Sequence, residues 1–528
     1  MDTSYRWIRR LERAQALLLS ALLIVSILAF GGQVWWFPLV CSVLVSLLAF
    51  VSLGRAFVRG SFSILKSPIA ALAVGAIVLG LFQITPLPAT LVSRQSARSV
   101  TSWTQAYPVD SSPGDPVDAA LLSPLVQGKM VLTADRSATL RWVLVAIGCL
   151  TVFVVAGHFS DSLKRTRLIW GSLVVAFSLC TWAGTLQLVG QASGAFGLIS
   201  PGVGPSWAPS QADLTTGPVL TSLRPLGKDR KKTEIGAEVV VARVDPGFAI
   251  GPLVAGPSAY LALASLALPL VFGMALFRLS PRGSRESLAV RLSPHGGFMA
   301  LSFLLTTGFL AVGLTGFLGG LLLGGVLLAG ISVVCLASLR GAGVARSAIL
   351  ILLTCIGSLY AGDALGNAVG RPQGSPWLAS AAGRERTQRV WSETVQIGLR
   401  FPLFGVGLNS FGPVHNMVKR DDVSSSTALS SLGQWWAETG LAGLLILTLG
   451  LTWFLWRLPA AWNRVGSADR ALPASLLGAC FSFGLFSAVA WTIQLPAIAI
   501  AAAALGGTMN RWLAGGTDLF VETGRFQN

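Results

Sequence analysis

Between residues 384 and 444 an otherwise apolar chain gathers Arg384, Arg386, Arg389, Glu393, Gln396 and Arg400, then His415 and Asn416, then Gln434 and Glu438. Arg386, Arg389, Glu393, Gln396 and Arg400 recur at three- and four-residue steps, while Val390, Thr394 and Ile397 fall on another side. That spacing predicts an amphipathic helix lying along a membrane interface, with Arg389 and Glu393 placed for an i,i+4 contact. A row of guanidinium groups is suited to the oxygens of a diphosphate, because arginine is a planar, permanently charged donor fork. The same row would also serve to reach lipid headgroups from a buried stem, so spacing alone leaves both uses open.

The elements that must position these residues are membrane spans. The chain has 528 residues, 53% of them hydrophobic and 12% charged, with a mean hydropathy of +0.68. Such a composition excludes an ordinary soluble protein. Runs of roughly 20 apolar residues, the length of a spanning helix, recur near 14–31, 34–54, 66–84, 138–157, 168–188, 250–277, 297–314, 317–338, 346–362, 435–456, 472–491 and 495–512. The expected fold is all-α: one polytopic domain over 1–528, a bundle of about 12 (10–12) spans by that length rule, with a large outer loop containing interfacial helices.

Basic residues follow every even-numbered span, as at Arg55 and Arg59, Lys164 to Arg167, and Arg457 and Arg464. Retention of Lys and Arg on the cytoplasmic side then predicts both termini inside, and extracytoplasmic loops at 85–137, 190–249 and 363–434. The formal charge of +17 thus combines a topological signal with a second, outer set of cations. The basic run Arg224 to Lys232 reads as a solvated surface, and the glycines from Gly316 to Gly330 as close helix packing. All six cysteines fall within predicted spans, so no disulfide framework is expected. Ionisable residues are scarce in mid-span, which argues against an ion-coupled transporter.

The arrangement resembles the O-antigen ligase and O-antigen polymerase (Wzy-type) superfamily of bacterial envelope proteins. The resemblance rests on the arginines beside Trp391, the Pro402-Leu-Phe-Gly-Val-Gly-Leu-Asn-Ser-Phe411 turn, and a helix entered through Gln434-Trp-Trp-Ala-Glu438-Thr-Gly440. It extends to a span ending at Gln83-Ile84-Thr85 and another opened by Ser137 to Arg141. The ligase-like region is about 300–456. The resemblance implies a multi-span, metal-independent, inverting glycosyltransferase of the bacterial cytoplasmic membrane, without cofactor or nucleic-acid partner. Its donor would be a polyprenyl-diphosphate-linked glycan in the lipid bilayer, and its acceptor a glycolipid or glycan hydroxyl. Carried onto this chain, Arg384, Arg386 and Arg400 would bind the diphosphate and Arg389 and His415 would be catalytic. Asn416, Gln434 and Glu438 would position the loop.

Three departures stand beside the likeness. Leu318 occupies a position where such proteins tend to carry arginine, the stretch Gly251 to Tyr260 lacks their Gly-Thr-Phe and Arg-Asn-His pattern, and Leu429-Ser430 stand where a His-Asn pair is usual. A His-Asn pair occurs instead at His415-Asn416, and the other histidines, His158 and His295, fall on the predicted inner side. His415 is therefore either a general base for the acceptor hydroxyl or an ordinary loop histidine. The alternatives to a transferase are a divergent scaffold of the same family and a transporter or flippase for a lipid-linked glycan.

Overall fold

Helix α6 (Pro257–Leu279) lies at the centre of the molecule. Every residue from Ala259 to Gly273 is buried, which a helix that is apolar all round requires. It packs against α5 (Leu163–Gly190), α7 (Leu288–Leu314) and α12 (Ala471–Val489). Its Gly273 meets Ser475 so closely that a Cβ there would collide. Around this core stand α1 (Asp2–Leu28), α2 (Phe37–Arg59), α3 (Pro68–Ile84), α4 (Arg136–Phe159), α11 (Ser431–Asn463) and α13 (Pro496–Leu513). A helical stretch at 353–365, here α8, packs its Gly362 against Leu310 of α7. Two helices outside the bundle, α9 (Ala381–Arg400) and α10 (Phe411–Val418), complete the helices among the described residues.

These elements come from a computed structural model describing residues 2–29, 37–59, 67–88, 129–190, 221–222, 257–279, 288–314, 353–365, 381–418, 423–425, 427–465, 470–490 and 493–515. The expected span at 317–338, the glycines from Gly316 to Gly330, the basic run Arg224 to Lys232 and most of the loops at 85–137 and 190–249 lie outside the described residues. Seven described helices are long and apolar enough to cross a membrane, and the apolar stretches Pro68–Ile84 and Ala300–Leu314 are shorter. The chain is an α-helical membrane protein. Two two-residue antiparallel pairings are described, Leu87–Pro88 (β1) with Lys129–Met130 (β2), and Thr221–Ser222 (β3) with Val423–Ser424 (β4). The second joins the 190–249 and 363–434 segments.

Large apolar side chains face outward along single helix sides, as at Leu39, Val43, Phe50 and Phe57 of α2 and Leu441, Leu445 and Leu449 of α11. In water such stripes would be costly, whereas in a bilayer they meet acyl chains. Polar contacts collect at the two ends of the bundle. At one end Arg55 of α2, nearly fully buried, donates to Gln15 of α1 at 2.9 Å and pairs with Glu12 at 3.2 Å and Asp161 at 3.5 Å. Arg165 of α5 closes the ring on Glu12 at 2.6 Å and Asp161 at 2.5 Å. Ser67 at the start of α3 reaches Asn510 near the end of α13 (2.5 Å), and Ser160 after α4 meets Thr508 (3.2 Å) at the same end. The end of α3, the start of α4 and the start of α11 meet at the other end. Since α4 has 24 residues, the two ends are about 36 Å apart at ~1.5 Å per residue.

Removal of one partner from a buried ion network leaves the others uncompensated, at a cost of about 3–5 kcal/mol. Arg55→Met is expected to lower the thermal unfolding temperature of the detergent-purified protein more than Arg165→Met does. Equal shifts would mean the network does not bear on the enclosed Arg55.

Candidate functional site

At the end opposite the Arg55 network, α11 is broken. Gly440 adopts φ 59 and ψ −149 inside what is otherwise a continuous helix of 33 residues, a backbone region essentially reserved to glycine. The break strands backbone groups, and the Pro402–Ser410 turn takes them up. Val406 and Gly407 donate their N–H groups to the carbonyls of Ala437 (3.0 Å) and Glu438 (3.1 Å), while Leu441 and Ala442 donate to Pro402 (2.7 Å) and Leu403 (3.1 Å). The contact is backbone against backbone, and a Cβ on Gly405 would collide with the main chain of Glu438. Gly405 and Gly407, at φ +66 and +103, supply both the left-handed turns and the space.

Gln83 of α3 fastens this assembly to the bundle. Its Nε2 donates to the carbonyls of Phe404 (2.7 Å) and Glu438 (3.0 Å), and its Oε1 accepts from the N–H of Leu408 (3.1 Å). Its own carbonyl accepts from Leu132 and Thr133 before α4. Next to it, the hydroxyls of Thr133, Thr139 and Ser410 form a buried cluster, with Thr133 2.6 Å from Thr139 and 2.9 Å from Ser410.

The Glu438 side chain is enclosed and caps α10. Its Oε2 accepts from the N–H of Asn409 (2.7 Å), and its Oε1 from the N–H of Phe411 (3.3 Å) and from Gln434 Nε2 (2.8 Å). A carboxylate at a helix start meets unpaired N–H groups and the positive end of the helix dipole. Gln434 in turn accepts from the N–H of Ala428 at 3.4 Å. Gln434 and Glu438 thus hold the turn and present no free oxygen at a surface.

His415 is fully buried on α10 against Phe411, ring centroids 5.3 Å apart. Its Nε2 lies 2.8 Å from Glu393 Oε2, and its Nδ1 accepts from the N–H of Ser425 at 3.3 Å. The pair ties α9 to α10 and to the 423–425 segment. In this arrangement both ring nitrogens face protein groups. Asn416, beside it, is exposed.

Helix α9 is amphipathic, with a division that corrects the sequence expectation. Its buried side is Thr387, Val390, Glu393, Thr394, Ile397 and Gly398, so Glu393 belongs to the inner face and not to the arginine face. The reason is His415, which draws the carboxylate inward. Arg389 forms its ion pair one turn back, with Glu385 at 2.5 Å, and both side chains are more than half exposed. Arg400 is exposed as well. The backbone of Arg384 and Arg386 is helical, and their side chains lie outside the described residues. Trp391, Val395 and Leu399 form an exposed apolar stripe on the remaining side. Close packing of α9 on α11 depends on Gly398, where a Cβ would strike the Trp436 indole.

The sequence reading gave Glu393 the wrong partner, Arg389, and saw neither the hydrogen bonds of Gln83 nor the hydroxyl cluster. A lone amide at the end of an otherwise apolar span was the available signal for Gln83. Among the described residues no group of three His, Cys, Asp or Glu side chains is placed to hold a metal ion.

Gln83→Leu keeps the volume but strands two carbonyls and an N–H in a buried place, where each unmade bond costs about 1–3 kcal/mol. The variant is expected to unfold at a clearly lower temperature in detergent and to expose the 402–411 turn to limited proteolysis. An unchanged cleavage pattern would mean that Gln83 does not hold the turn. No protein-family model matches the chain, and no curated protein matches it.

Proposed function

We propose that this chain is a membrane glycan transferase of the O-antigen ligase and polymerase type. It would move a polyprenyl-diphosphate-linked glycan to a hydroxyl acceptor on the extracytoplasmic side of a bacterial cytoplasmic membrane. The observation that carries the reading is α9: a helix with exposed Arg389 and Arg400 beside an exposed Trp391-Val395-Leu399 stripe, tied to the bundle end opposite the Arg55 network. A diphosphate on a membrane lipid presents charge and hydrocarbon to such a surface together. The Arg389–Glu385 pair is solvent-exposed, and such pairs contribute at most about 1 kcal/mol, so phosphate oxygens can replace the carboxylate. In the reaction the acceptor oxygen bonds to the anomeric carbon, and the bond from that carbon to the diphosphate oxygen breaks. The leaving diphosphate keeps the electron pair, and Arg389 with Arg384, Arg386 and Arg400 stabilises the charge developing there. The hydroxyl proton passes to His415 once the 423–425 segment releases Nδ1, while Glu393 holds Nε2. Asn416, Gln434 and Glu438 position the loop.

The enclosure of His415 favours one second reading, a scaffold of the same type that binds the lipid-linked glycan without transferring it. A transporter is disfavoured, because transporters use the open ends of broken helices at mid-bilayer for substrate, whereas both ends of the break at Gly440 are capped by the 402–407 turn.

Reconstituted protein is expected to transfer glycan from a polyprenyl diphosphate donor. Arg389→Ala should reduce transfer roughly 10- to 100-fold, the loss of ~1.5–3 kcal/mol for a charge-assisted hydrogen bond. His415→Ala should abolish transfer while donor binding persists. Binding without transfer by the parent protein would establish the scaffold, and full transfer by Arg389→Ala would remove the diphosphate assignment.

A further inference from the structure

His415 has one lone pair to offer, and a stretch of backbone sits on it. Nδ1 accepts from the N–H of Ser425, so the neutral ring carries its proton on Nε2, where Glu393 Oε2 lies 2.8 Å away. A hydroxyl that gives up its proton must donate to that same lone pair. The Ser425 N–H and an incoming hydroxyl therefore exclude each other. What fixes Ser425 in place decides whether the ring can be reached.

Ser425 is held from another loop. Val423–Ser424 (β4), immediately before it, pairs antiparallel with Thr221–Ser222 (β3), with Ser222 opposite Val423 and Thr221 opposite Ser424. The pairing is two residues long, and a two-stranded ladder even of ordinary length is marginal by itself. The bond to Nδ1, at 3.3 Å, is long for an N–H donor. On the other side of Ser425 the closed arrangement carries two costs. Thr427 Oγ1 is buried without a hydrogen-bond partner among the described residues, and Leu429 holds φ 59, a left-handed conformation that strains a non-glycine backbone. Beyond Leu429 the chain is firmly set: Ser430 caps α11 by accepting from the N–H of Gly433 (3.0 Å) and donates to the carbonyl of Ala488 (2.6 Å). The strained residue thus stands between a fixed base and a weakly held stretch, where a hinge belongs.

We propose that residues 423–425 form a strap over His415, hinged at Leu429 and latched by Thr221–Ser222 of the 190–249 segment, which admits an acceptor hydroxyl to Nδ1 when the latch parts. Opening relieves Leu429 and lets the Thr427 hydroxyl find a partner, so the latch and the Nδ1 bond are what keep the strap down. Glu393 sits on α9, outside the strap, so the ring keeps its Nε2 proton as Nδ1 is uncovered. The 190–249 segment thereby governs a side chain of the 363–434 segment. The proposal rests on the transferase reading only in naming the acceptor hydroxyl as what enters, and the strap and its latch can be tested without any transfer.

The test locks the latch in the full-length protein. Cα atoms directly opposite in an antiparallel pair lie about 4.5–5.5 Å apart, within the reach of a disulfide. Ser222→Cys/Val423→Cys can therefore be oxidised to a 222–423 crosslink and reduced again in the same sample. Mass spectrometry reports both the crosslink and the carbethoxylation of His415 by diethyl pyrocarbonate. The crosslink is expected to form and, because modification needs local opening, to slow it about tenfold or more against the reduced form. Glycan transfer should slow in parallel, and reduction should restore both. Thr221→Pro/Ser222→Pro removes both amide donors of the latch and should speed the modification several-fold, with thermal unfolding verifying that the variant is folded. Equal modification of oxidised and reduced protein, or failure of the crosslink to form, would overturn the proposal. Full transfer by the crosslinked, protected protein would overturn it as well. Modification that follows the latch in a protein that transfers nothing would refute the transferase reading and leave the strap standing.

Discussion

The site depends on a break in one helix and on the groups that satisfy it. Gly440 interrupts α11 at the bundle end, and the interruption would leave carbonyls and N–H groups without partners in a medium that supplies few. The Pro402–Ser410 turn answers from one side with four backbone hydrogen bonds, and Gln83 answers from the other with its whole amide. The order of the loop follows. Glu438, placed by the break, caps α10, which holds His415 inward against Glu393 and so fixes the rotation of α9. The outward direction of Arg389 and Arg400 is therefore set, through α10, by a glycine forty residues or more along the chain.

This chain of dependence separates two kinds of polar residue that look alike in sequence. Gln83, Glu393, His415, Gln434 and Glu438 are enclosed and partnered, so their contribution is to geometry. Arg141, Arg389 and Arg400 are exposed, and Arg389 holds only an exposed ion pair with Glu385 among the contacts described. At the far end burial differs in the same way: Arg55 is locked into a buried network, while Arg10 and Arg13 of α1 are exposed.

Much of the architecture was legible because bilayer physics writes it into composition. Apolar runs marked the seven described helices that are long and apolar enough to cross a membrane, and helical spacing set Val390, Thr394 and Ile397 on a side apart from the arginines, which is the buried side of α9. The break at Gly440 was not legible, since apolar residues continue on both sides of it and only the backbone dihedral distinguishes a hinge from a packing glycine. The inward turn of Glu393 depends on a histidine 22 positions later, and Gln83 finds Phe404 across 321 residues. Local spacing carries no information about such partners. It favoured Arg389 for Glu393, whereas the fold places Glu393 against His415.

The central claim is that the arginine face of α9 receives the diphosphate of a membrane lipid at the bundle end opposite Arg55. A density map of the protein in lipid nanodiscs, loaded with a polyprenyl-diphosphate glycan, addresses it most directly. The account predicts diphosphate density within hydrogen-bonding distance of Arg389 and Arg400, with the hydrocarbon chain leaving beside Leu399. Density between the spans at mid-bilayer, or among the cations at the Arg55 end, would contradict it.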